Sequence, residues 1–186
     1  MAGGFEFGGP GRKREIPVEM AGECQAVEAE IRETFRGVTR VGGVSWEETY
    51  VIDSYGSDEE REAARLSDRD HSWEELIDDS GWETHIYLGG FNYLDSIGYR
   101  YYLPAAMIRC LRRWPEERTA FALTIQDKDP RFGEYRQWQI ALLNLEQSAC
   151  IARFLRLMVL LNRRDGQERA DCEWRKALES HWSKFG

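Results

Sequence analysis

Between Tyr99 and Trp114 apolar residues return at the spacing of a helix. Tyr99, Tyr102, Leu103, Ala106, Cys110, Leu111 and Trp114 stand at i, i+3, i+4, i+7, i+11, i+12 and i+15. A strand cannot use that pattern, because its side chains change face at every residue. Two later segments carry the same signal. Phe154, Leu155, Leu157, Met158, Val159, Leu160 and Leu161 wrap most of the circumference of a helix over 146–162, which reads as the buried central helix. Ala170, Trp174, Ala177, Leu178, His181, Trp182 and Phe185 form a stripe over 167–185. The spacing predicts an all-α (mainly α) fold, a single-domain irregular helical bundle of roughly six to eight helices with at most one short β-hairpin. The segments near 96–114, 146–162 and 167–185 are expected to form its core.

End signals refine this picture. Asp95 is a suitable N-cap for the helix from residue 96. Pro104 lies inside that helix, lacks an amide hydrogen and crowds the carbonyl four residues back, so a kink or break is expected there. Ser72-Trp73-Glu74-Glu75 and Asn144-Leu145-Glu146-Gln147 both read as capping boxes. Cys24, Val27, Ile31 and Phe35 mark a first helix from about Glu23. A charged helix is expected over 58–66 and another helix from Tyr135 to Leu143, after a charged loop over 127–133. Residues 37–55 read as an irregular excursion or a short hairpin, and residues 81–91 as a loop. Gly3, Gly4, Gly8, Gly9, Pro10 and Gly11 make 1–22 a flexible Gly-rich tail, leaving 23–186 as one helical domain.

Charge is unevenly spread. Residues 23–98 carry 19 acids against six bases, and residues 99–186 carry 11 acids against 16 bases, within a total of −8. Either the two halves attract each other inside one fold, or the front half shows an acidic face to a basic partner. The negative total argues against general nucleic-acid binding. No apolar run approaches the ~18 residues that a membrane span needs, and there is no secretory leader pattern, so a cytoplasmic protein is expected.

The sequence offers little recognisable chemistry. The four cysteines, at 24, 110, 150 and 172, form no C-x-x-C pair and read as reduced, buried thiols. Asp68, Asp70 and Ser72 imitate the start of a calcium loop, but Trp73 occupies the sixth position, where such a loop needs glycine. His71 and His85 lie near Asp78 and Asp79 without a regular metal-binding spacing. His181, on the last stripe, reads as a hydrogen-bonded core histidine. Neither a nucleophile elbow nor a phosphate loop is present, and no cofactor or metal is expected.

Phe91-x-x-Leu94 followed by Tyr99-Arg100-Tyr101-Tyr102-Leu103-Pro104-Ala105 resembles the signature of a bacterial domain family of unknown function, in which an Arg-Tyr-Tyr-Leu-Pro-Ala core is typical. Trp73 upstream, Gln147 in the first turn of a later helix and Trp182 near the end occur in the same order, and the resemblance spans about residues 23–185. Gly98 departs from it, standing where a better helix former is expected. The resemblance implies a fold and an order of elements, with no activity attached.

Two functions are compatible with this. The first is an interaction protein, of immunity or antitoxin-like inhibitor type, that meets a basic partner through Asp58, Glu59, Glu60, Asp68, Asp70, Asp78 and Asp79. The second is a small enzyme with a pocket near the Pro104 kink, lined by Tyr99, Arg100, Tyr101 and Tyr102. Arg100 is expected to pair with a carboxylate near Asp78 or Asp79, clipping the two halves of the chain together.

Overall fold

The computed structural model describes residues 16–68, 71–82, 89–112, 117–125, 130–164 and 168–186. Their order is α1 (Val18–Thr34), α2 (Trp46–Asp53), α3 (Asp58–Ser67), a 3₁₀ turn at Trp73–Ile77, a second at Gly90–Asn92, α4 (Ser96–Arg112), α5 (Glu117–Ala122), α6 (Pro130–Gln139), α7 (Leu145–Arg164), α8 (Glu168–Ser180) and a 3₁₀ turn at Trp182–Lys184. No strand occurs among the described residues, so the fold is mainly α. Residues 1–15 of the expected tail lie outside the described residues, as do Asp70 and His85. The first helix already begins at Val18, behind Pro17, rather than near Glu23.

Helix α4 is the centre of the packing. It touches α1, α5, α6 and the Trp73–Ile77 turn, and every residue from Tyr101 to Leu111 is buried. The amphipathic stripe expected here is therefore too narrow. Tyr101, Ala105, Met107 and Ile108 fill the other side, and Arg109, expected off the core, is 8% exposed. Helix α7, expected to be central, keeps an outer edge, with Arg153 and Leu160 exposed. It packs between α1 and α8. The helix continues through Pro104 without a break.

The ends follow their caps, with two corrections. Asn144 and Gln147 form the expected box at α7: the Gln147 amide donates to Asn144 Oδ1 at 2.8 Å and the Asn144 amide to Gln147 Oε1 at 3.3 Å. Ser72 makes no side-chain cap, and the turn after it is 3₁₀. Glu75 accepts instead from the amide of His71 at 3.1 Å. Residues 37–55 hold no hairpin. Their second half is α2, capped by Ser45 and Glu48 in a box of the same Ser-Trp-Glu-Glu sequence. Pro130, expected in a loop, is the first residue of α6, where a missing amide hydrogen costs nothing.

Gly98 also finds its reason. The loop before α2 crosses the start of α4 so closely that a Cβ on Gly98 would lie 2.4 Å from the Val44 carbonyl oxygen. Asp95 Oδ1 accepts from the amides of both Gly98 (2.7 Å) and Val44 (3.1 Å), capping α4 and pinning that loop with one oxygen.

Gly98→Ala would raise helix propensity in isolation, yet it is expected to lower stability by about 1–3 kcal/mol through overpacking. Leu103→Ala and Leu155→Ala, both fully buried, are each expected to cost about 2–5 kcal/mol. Urea denaturation midpoints test all three. An unchanged midpoint for Gly98→Ala would show that the loop yields.

Candidate functional site

Two sets of residues stand out around α4. One is architectural. Trp73 is fully buried and its indole N–H donates to the Phe35 carbonyl at 3.1 Å. Trp182 likewise reaches the Leu123 carbonyl at 2.7 Å. Tyr101 and Leu103 lie in the core, and Pro104 is buried. Arg100 does not pair with Asp78 or Asp79. Its Nε donates to Gln147 Oε1 at 3.1 Å, while Gln147 Nε2 donates to the Thr34 carbonyl at 3.4 Å. Gln147 is 1% exposed, so one amide joins the end of α1, the side of α4 and the start of α7.

The clip between the chain halves is real but uses other arginines. Arg112 pairs with Glu28 at 2.6 Å and Asp78 at 3.1 Å. Arg153 pairs with Glu30 at 2.7 Å and Glu23 at 3.2 Å. Glu28 is held below its ordinary pKa: burial pushes it up, but Arg112 and Arg32 outweigh that. Arg109 donates to the carbonyls of Leu76 (3.0 Å) and Asp79 (2.6 Å), and lies over the Trp82 ring at 5.3 Å.

The other set surrounds a cleft of about 350 Å³. Trp46 and Glu47 come from the start of α2, Ser67 and Asp68 from the end of α3, Glu75 and Leu76 from the 3₁₀ turn, Asp79, Gly81 and Trp82 from the loop after it, and Tyr102 from α4. Trp46, Trp82 and Tyr102 make an aromatic floor, with Trp46 centred 5.0 Å from Trp82 and 5.2 Å from Tyr102. The Tyr102 hydroxyl accepts from the Trp46 amide at 2.9 Å and donates to Asp68 Oδ2 at 3.3 Å.

Four carboxylates, Glu47, Asp68, Glu75 and Asp79, line the walls, and no lysine or arginine does so among the described residues. The Asp68 side chain is 7% exposed and faces Arg40 Nη1 at 3.7 Å. Desolvation, and then the nearby Asp68 charge, raise Glu47 above the ordinary carboxylate pKa. Negative potential of this kind over an indole and phenol floor suits an ammonium or guanidinium group.

Of the acids expected to form a binding face, the structure gathers Asp68 and Asp79 here. Asp58, Glu59 and Glu60 are exposed at the start of α3 and do not line the cleft, and Asp78 is engaged by Arg112. Glu47 was missed, and Glu75 was read only as a cap. Ser-Trp-Glu-Glu recurs at 45–48 and 72–75, but it aligns Glu75 with Glu48 rather than with Glu47 and gives no signal for the cleft. Among the described residues no three His, Cys, Asp or Glu side chains gather as a metal-binding group. Cys24, Cys110 and Cys150 are buried thiols, and burial pushes the Cys150 thiol up to about 12. His181 is half-buried, edge-on to Trp182, and burial lowers its pKa.

Truncating Gln147→Ala leaves the Arg100 Nε, the Asn144 amide and the Thr34 carbonyl without this partner. A loss of about 1–3 kcal/mol is expected. Arg100→Ala is expected to cost a similar amount, with less to lose than a stranded buried charge. Thermal denaturation of the two single variants and the double variant checks the coupling: losses that simply add would mean that the contact carries no energy.

No curated protein and no solved structure matches the chain. No helix among the described residues is long and apolar enough to cross a membrane. The family described as "Family of unknown function (DUF6714)" matches residues 24–185, nearly the whole helical fold described above, and the chain belongs to that family.

Proposed function

We propose that this protein is a binding module that captures a cationic side chain of a basic partner protein in the cleft between α2, α3 and α4. One observation carries the reading. Four carboxylates from three chain segments converge on one aromatic-floored cleft whose described lining includes no lysine or arginine. Like charges are not gathered in this way by packing alone, since each adds repulsion. A partner's arginine or lysine relieves that repulsion on binding, and the negative field speeds its capture. An inhibitor of immunity or antitoxin type would use such a cleft to hold a basic toxin. The enzyme reading has less support: Pro104 is buried and Arg100 is turned to Gln147.

An arginine-only nonapeptide is a direct probe, with Trp46 and Trp82 as fluorescent reporters in the cleft. It is expected to bind with an affinity that falls as salt rises. Glu47→Gln with Glu75→Gln, both at exposed positions, is expected to weaken it about tenfold, or about 1.4 kcal/mol. Glu146→Gln with Glu179→Gln removes the same charge at exposed positions outside the cleft and is expected to change little. Equal losses from the two pairs would point to diffuse attraction and overturn the site.

The pH dependence has a definite sign. The cation favours ionised Glu47, so affinity falls as pH drops through the Glu47 titration. Because that pKa is raised, the fall begins at a higher pH than for an ordinary carboxylate. A titration of peptide affinity from neutral to acid pH, beside Glu47→Gln, checks this.

A further inference from the structure

Helix α3 is an anomaly in this fold. None of its ten residues is buried, and its main packing partner is α2. A helix this short does not hold itself together in water, and most helices in proteins draw their stability from an apolar face. α3 has polar fastenings instead. Ser57 and Glu60 form a capping box at its start. Arg61 donates through Nε and Nη2 to Glu48 Oε1 at 3.2 and 3.0 Å. Arg65 donates through Nε to Glu48 Oε2 at 3.1 Å and through Nη2 to Oε1 at 2.9 Å.

Glu48 is fully buried on the α2 side, whereas the two arginine side chains are 36% and 42% exposed. The fastening is therefore open to solvent and salt from the α3 side. Glu48 also keeps the Ser45 amide, at 3.2 Å, which belongs to α2. Undocking α3 would leave the α2 cap in place. The turn joining the two helices is pinned: the Gly56 amide donates to the Val51 carbonyl at 2.8 Å, and Tyr55 has φ +57°. At the far end of α3, Ser67 and Asp68 form one wall of the cleft. With α3 docked, Asp68 faces Arg40 and the Tyr102 hydroxyl.

We infer that α3 is a detachable strap, held to α2 by the Glu48–Arg61–Arg65 cluster, and that it completes the cleft when docked and dismantles one wall when released. This builds on the cation-binding reading and adds a regulation to it: ligand and strap stabilise each other. A cation seated against Asp68 favours the docked strap. By the same linkage, the factor by which docking tightens binding equals the factor by which the ligand favours docking, so releasing the strap weakens binding.

Hydrogen exchange on the full chain, without ligand, tests the strap alone. Amides of 58–67 are expected to exchange at least about a hundredfold faster than those of α4 and α7, and faster still when salt rises from about 50 to 500 mM. Saturating arginine nonapeptide is expected to slow them. Arg61→Gln with Arg65→Gln supplies a test of opposite signs. Neither arginine lines the cleft, and removing both makes the protein more negative. Coulomb attraction alone would tighten peptide binding, whereas the strap requires it to weaken, by about fivefold or more. Tighter binding in that variant would overturn the strap, as would α3 exchange that matches α4 and ignores salt. If the wild-type protein does not bind the peptide, the cleft reading fails, while the exchange contrast still decides whether α3 is a strap.

Discussion

Helix α4 is enclosed along most of its length, and its polar side chains are obliged to find partners inside the protein. A buried donor without an acceptor costs about 1–3 kcal/mol, so each such group fixes something else. Tyr99 reaches the Ala122 carbonyl at the end of α5. Arg100 reaches Gln147 at the start of α7. Tyr102 takes the Trp46 amide at the start of α2 and touches Asp68 beyond α3. Arg109 takes the carbonyls of Leu76 and Asp79. These partners lie mostly at the ends of elements, where backbone groups lack intrahelical bonds. The central helix thus sets the positions of its neighbours by hydrogen bonding as well as by apolar packing.

The cleft is a consequence of the same constraint. Tyr102 holds the first turn of α2 and the residue after α3 in one place, and Arg109 holds the loop that carries Asp79 and Trp82. Those fixed loop ends bring four carboxylates together. Arg40 and Arg109 occupy positions beside Tyr102 and Trp82, within about 6 Å of the ring centres. The molecule already sets guanidinium groups of its own against these rings, and the open side of the cleft presents acids to solvent.

Acidic charge is spent in three ways. Glu23, Glu28, Glu30 and Asp78 engage arginines of the basic half. Glu48 is buried and clamps α3, and its pKa is lowered: burial pushes it up, but Arg65, the Ser45 amide and Arg61 together outweigh that. Such a group contributes stability that is complete above its unfolded pKa and is lost as pH falls through its depressed folded value. Glu47 behaves in the opposite sense, raised by desolvation and by Asp68. The contrast is between Glu48, which builds the fold, and Glu47, which lines the cleft.

The sequence by itself determined the helical class, the long helices read at 96–114 and 146–162, the Asp95 and Asn144–Gln147 caps and the buried cysteines at 24, 110 and 150. Each of these depends on residues within a few positions of one another. It did not separate the two Ser-Trp-Glu-Glu segments. One caps an α-helix and sends its last glutamate to two arginines, while the other opens a 3₁₀ turn and turns its last glutamate to the cleft. Local chemistry is the same in both, so only the neighbours decide. Gly98 and Arg100 teach the same lesson. Close approach of the Val44 carbonyl, from a loop 54 residues away in the chain, explains the glycine, and Gln147, 47 residues on, takes the arginine that the sequence assigned to an acid. Pairing by charge can be read from composition, but the identity of each partner depends on which chain segments the packing of α4 brings within hydrogen-bonding distance.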